Sequence, residues 1–253
     1  MTGRDALAVP ATVRLGMLTP SSNTTLEPVT TAMLAGVPEA SAHFSRFRVT
    51  EIGLGARALG QFDDTEILRA AELLAHARVQ VIGWSGTSAG WRGFEADQRL
   101  CERITAATGI PACTSVLAFN ELFARDGVRR LALVTPYLSA VQQAIVANHA
   151  RIGIEVVAER HLGLEENFAF AQVDGATLRA MAQAVAAARP DGIAVYCTNL
   201  RGAPLAAALE AELGIPVYDS VASVVWKALA LAGIAPARVQ GWGRLFGTAD
   251  NRG

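Results

Sequence analysis

Apolar positions fall in short β-branched runs separated by longer stretches with helical spacing, and the two alternate along the chain. The first runs predict strands over 13–18 and 43–49, then a helix over 65–77 capped by Asp63 or Asp64. A strand over 79–84 follows, with helices over 94–108 and 115–125. The order then restarts: strand 130–134, helix 139–152, strand 154–159, helix 177–188 with Asp174 as its cap, and strand 192–196. Helix 204–213, strand 216–218 and helix 221–232 complete it. Such alternation predicts an α/β protein whose parallel sheets are covered on both faces.

The restart is also written in the residues. RLGMLTP at 14–20 matches RLALVTP at 130–136, VIGWSGTS at 81–88 matches GIAVYCTN at 192–199, and GIPACTSV at 109–116 matches GIPVYDSV at 214–221. Three matches in one order, their offsets drifting only by loop length, indicate a duplicated half. Two such halves are expected to face each other across a cleft. In open parallel sheets ligands bind beyond the carboxyl ends of the strands. The segments placed there are TPSSNTTLE, SGTSAGWRG, TPYLSA and CTNLRG. Their hydroxyls, amides and glycines suit an anionic ligand such as a carboxylate. None contains lysine, which argues against Schiff-base chemistry.

Composition narrows the function classes. The 253 residues are 51% hydrophobic and 18% charged, enough for one large core or two smaller ones. Lys and Arg number 22 against 23 Asp and Glu, so no basic excess exists to bind nucleic acid. No uncharged apolar run is long enough to span a membrane, and the N-terminal stretch lacks the pattern of a signal peptide. Three cysteines do not make a disulfide framework, and a reducing, cytoplasmic location is expected.

Several motifs fall away. GLGARALG at 53–60 has the wrong spacing and position for a dinucleotide loop, and no GxxxxGK[ST] occurs. His43, His76, His149 and His161 are scattered, so no metal site is expected. Cys101 falls inside a helix and reads as packing, and Cys113, at the GIP turn, reads as a half-buried structural thiol. Trp84, Trp91 and Phe44 either line an apolar pocket or belong to the core.

Cys197 is different. It follows a strand and points into the expected cleft, and the repeat pairs it with Gly86. Two facing thiols can racemise a carbon acid, one taking a proton and the other giving one; here one wall has lost its thiol. At these residues the chain resembles the Asp/Glu racemase superfamily, in its arylmalonate decarboxylase and maleate cis–trans isomerase branch. GTSAGWRG at 86–93, TPYLSAV at 135–141 and GWGRLF at 241–246 are similar to the decarboxylase. PSSNTTLE at 20–27, and Asn167 within GLEENFAF, are similar to the isomerases.

The resemblance implies two pseudo-symmetric flavodoxin-like halves, 1–118 and 119–253, with the active site in the cleft between them. The returning C-terminal helix is expected to pack on the first half. It implies a cofactor-independent decarboxylase in which Thr87, Ser88 and Tyr137, with backbone N–H groups near Cys197 and Thr198, bind an enediolate that Cys197 protonates. Asn23, Gly86, Asn167 and Thr198 are the implied substrate-binding positions. No cofactor and no metal are implied. The partner is a small carboxylate or dicarboxylate, and a homo-oligomer is a possible state. Isomerisation of maleate, or racemisation, is the alternative, and it needs a second cysteine at Gly86. A carboxylate-binding protein without catalysis is the third reading.

Overall fold

A computed structural model describes residues 12–247. The N-terminal stretch read for a leader lies outside the described residues apart from its last few positions. The chain runs β1 (Val13–Pro20), α1 (Leu26–Leu34), β2 (Ala40–Phe47), α2 (Ala56–Gly60), α3 (Asp64–His76), β3 (Val81–Trp84), α4 (Ala89–Arg92), α5 (Phe94–Thr108), β4 (Ala112–Thr114) and α6 (Ser115–Asp126). It continues β5 (Arg130–Thr135), α7 (Ser139–Arg151), β6 (Glu155–His161), α8 (Asn167–Phe170), α9 (Gly175–Ala186), β7 (Gly192–Val195), α10 (Ala206–Leu213), β8 (Val217–Asp219) and α11 (Ser220–Leu231).

Each half holds one four-stranded parallel sheet, ordered β2-β1-β3-β4 and β6-β5-β7-β8. The two orders are the same once the second set is renumbered, and so is the register of the inner strand pairs, while β5–β6 has a shift after Leu131 that β1–β2 lacks. Leu15 pairs with Val81, and Leu131 with Gly192; Ile82 pairs with Ala112, and Ile193 with Val217. Residues matched by the sequence repeat therefore hold equivalent places in the two sheets.

The sheets are buried on both faces. Their central strands β1, β3, β5 and β7 consist almost wholly of buried residues, as parallel sheets under helices require. The halves interlock by exchanging helices. The returning α11 packs on α6, β3 and β4 of the first half. Its Val224 comes so near β3 that a Cβ on Gly83 would stand 2.9 Å from it, so this strand position has room only for glycine. α6 crosses the boundary expected at 118/119, and on it Phe119 stacks on Tyr196 (centroids 5.2 Å apart) while Phe123 meets Tyr218 edge-on (5.1 Å).

Caps behave as the sequence indicates: Asp63 accepts from the N–H of Thr65, and Asp174 from that of Thr177. Other expectations need correction. The second strand begins at Ala40 rather than His43 and ends at Phe47, because it pairs with β1 from Val13↔Ala40 onward. Small, half-exposed residues at its start hide that pairing in the pattern. Helices α1, α2, α4 and α8 and strand β4 were not expected, and four of these five are five residues or fewer. Cys113 lies fully buried in β4, not half-buried in a turn.

Candidate active site

The loops after β1, β3, β5 and β7 meet where the halves face each other. They enclose a cavity of only ≈ 20 Å³, lined with polar side chains of Thr87, Ser88, Tyr137, Asn167, Cys197 and Thr198. Pro20, Val49, Ile52, Phe62, Trp84, Gly86 and Trp91 complete the lining. That volume holds about one water molecule. No lining residue carries a formal charge at neutral pH, so an anion here would meet neutral donors only.

Hydrogen bonds cross the cleft and hold these groups. Thr87 Oγ1, from the first half, lies 2.7 Å from the Tyr137 hydroxyl of the second. The Tyr137 hydroxyl and the backbone N–H groups of Asn199 and Leu200 act on the Cys197 thiol and favour its charged form. Thr198 Oγ1 donates to the Ser85 carbonyl at 3.3 Å and accepts from Asn23 Nδ2 at 3.1 Å.

Asn167 lines the cavity from the start of α8. Its Nδ2 donates to Ser22 Oγ (2.8 Å), and its backbone N–H to the Thr50 carbonyl (2.9 Å). Asn23 does not line the cavity. Its Oδ1 accepts from the N–H groups of Thr25 and Leu26 at the start of α1, and its Nδ2 donates to Thr198 Oγ1. Seven of the eight residues picked out in the sequence thus line one cavity, and Asn23 positions one of them.

Asn199 was missed. Its Oδ1 receives the N–H groups of Thr24 (3.0 Å) and Thr25 (3.3 Å), and its Nδ2 donates to the Asn167 carbonyl (2.6 Å). One amide thus ties together the loops after β1 and β7 and the start of α8. The repeat could have found it, since Asn199 aligns with Ser88.

The protonation states are set mainly by burial. Cys197 is 3% exposed, and desolvation pushes its thiol up to about 11, against the opposing pull of Tyr137 and the two N–H groups. It is therefore a neutral thiol near pH 7. Burial likewise drives Tyr137 well above its ordinary range, so it remains a donor. Buried Asp219, raised to about 7 by desolvation, caps α11 through the N–H groups of Val221 and Ala222 and adds a small upward push on Cys197. Cys101 and Cys113 are also raised by burial, Cys101 to about 12, and neither reaches the cavity.

The opposite wall is closed. A Cβ built on Gly86 would lie 2.0 Å from Cζ2 of Trp84 and 2.4 Å from its Cε2, so the indole fills the space of a side chain at position 86. Ser88 Oγ, Trp84 Nε1 and Trp91 Nε1 are buried without hydrogen-bond partners, and all three residues line the cavity.

The family model for arylmalonate decarboxylase matches residues 23–246. The chain belongs to the arylmalonate decarboxylase family. Within it, the chain is 31% identical over 205 residues to the arylmalonate decarboxylase of Bordetella bronchiseptica, covering 79% of this chain and 85% of that enzyme. It is also 30% identical over 241 residues to the maleate isomerase of Pseudomonas putida KT2440, covering 88% and 94%. Among solved structures, the maleate isomerase Iso from Pseudomonas putida S16 superposes with a TM-score of 0.86 at 28% identity, covering 94% of this chain and 99% of that one. These relatives are enzymes of two reaction types, a decarboxylase and maleate isomerases. Among the described residues no helix is long and apolar enough to cross a membrane.

Proposed function

We propose that this protein is a cofactor-independent decarboxylase of a substituted malonate. The observation that carries the reading is the asymmetry of the cleft: a protonated thiol on one wall, Cys197, and an indole-covered glycine on the other, Gly86. Isomerisation or racemisation by two facing thiols has only one of its two groups here.

In this reading one carboxylate accepts hydrogen bonds from Thr87, Ser88 and Tyr137, with backbone N–H groups near Cys197 and Thr198 and the Asn167 amide as neighbouring donors. The other carboxylate sits among apolar side chains, where loss of hydration raises its energy. The bond from the α-carbon to that carboxylate breaks, carbon dioxide leaves, and the electron pair passes into an enediolate held by the neutral donors. Donors fixed in advance toward this developing charge are worth several kcal/mol in a water-poor site. Cys197 then gives its proton to the α-carbon, and the thiolate, stabilised by Tyr137 and the N–H groups of Asn199 and Leu200, recovers a proton from water. A thiol with its pKa pushed up to about 11 enters this cycle protonated, as a proton donor must.

The isomerase reading draws on Asn167 and on the likeness to maleate isomerases over most of the chain. A direct comparison separates the two. Incubation with methylmalonate, phenylmalonate or maleate is expected to release carbon dioxide from a malonate and to form no fumarate from maleate. Fumarate formation without decarboxylation would overturn the reading.

A further inference from the structure

Trp84 ends strand β3, yet its ring does not simply join the hydrophobic core. It is 1% exposed, packs against Phe47 at 5.1 Å between centroids, and turns its six-membered ring over the Cα of Gly86. Three of its ring atoms lie within 2.5 Å of where a Cβ on Gly86 would stand. Real Cβ contacts do not come so close, and an indole wedged in a core cannot yield as the end of a flexible chain does. Its Nε1–H is buried and has no acceptor, and Trp84 is among the residues that line the cavity. An unpaired buried donor is costly, and an acceptor brought to it would relieve the cost.

We propose that Trp84 is the specificity-determining residue of this cleft. Its indole takes the volume that a proton-transferring side chain at position 86 would need, so proton delivery is confined to the Cys197 face. The same ring, part of the cavity lining, limits the α-substituent of the substrate to a small alkyl group. Its N–H is the donor that a substrate oxygen satisfies on binding. The substrate class rests on the decarboxylase reading above; the placement of the ring does not.

Two sets of variants test this. Gly86 has no left-handed φ, so Gly86→Ala reports on the clash alone. It is expected to lower Tm by roughly 3–10 °C in the wild-type background, and by much less when combined with Trp84→Ala. Equal losses in both backgrounds would overturn the placement of the ring.

In the second set, Trp84→Ala is expected to raise the phenylmalonate-to-methylmalonate ratio of kcat/KM about tenfold or more. Trp84→Phe, which keeps most of the volume and loses the N–H, should leave that ratio within a few-fold and raise KM. An unchanged ratio in both variants would overturn the specificity role. If the wild-type protein decarboxylates neither malonate, the decarboxylase reading fails, while the stability comparison still decides where Trp84 sits.

Discussion

Replacing Cys197 by alanine is expected to lower decarboxylation of a substituted malonate by about 10³-fold, within the 10²–10⁴ that a well-placed acid contributes. The fold should survive, since removing one sulfur from a well-packed site costs about 1 kcal/mol. Circular dichroism and thermal melting check the second point, and steady-state kinetics the first. Activity within tenfold of wild type would remove Cys197 from the mechanism. The pH profile gives an independent handle. The working form is the protonated thiol, held up to about 11 by burial. Turnover should therefore be flat through neutral pH and fall as pH rises toward that value. A thiolate acting as base would do the reverse, with activity climbing over the same range.

Tyr137→Phe should cost 10²–10³-fold in kcat, about the loss seen when one oxyanion donor is removed. Its hydroxyl meets Thr87 Oγ1 on one side and the Cys197 thiol on the other, so it couples the charge-binding wall to the proton donor. Deleting it removes the one proton that this hydroxyl can give, first to the enediolate and, once the α-carbon is protonated, to the thiolate. KM should change less than kcat, because both effects develop only as the reaction proceeds. A variant with a raised KM and unchanged kcat would instead mark Tyr137 as a ground-state contact.

Much of this arrangement could be read before any coordinates. The matched strings RLGMLTP and RLALVTP located β1 and β5, and the offsets that relate them also relate the strand pairings. The pairing of Gly86 with Cys197 followed from the same alignment, and both residues line the cavity. What escaped is local or three-dimensional. β4 is three residues long and offers no periodicity, although its repeat partner β8 was read as a strand. α1 begins after a run of hydroxyl residues that rank low as helix formers, and its start depends on the amide of Asn23. Asn23 consequently holds the start of α1 and the Thr198 hydroxyl rather than forming a cavity wall. The largest omission concerns Trp84. Its place in an apolar strand was legible, but a ring folding back over the residue two positions on has no signature in one dimension.

The central claim is proton delivery to one face by one thiol. Decarboxylation of α-ethyl-α-methylmalonate in heavy water reads it directly. The expected product carries one deuteron at the α-carbon, is a single enantiomer, and does not exchange that deuteron on further incubation with the enzyme. A racemic product, or continued exchange of the α-deuteron in ordinary water, would contradict it, because either requires a second proton-transferring group on the wall that Trp84 and Gly86 form.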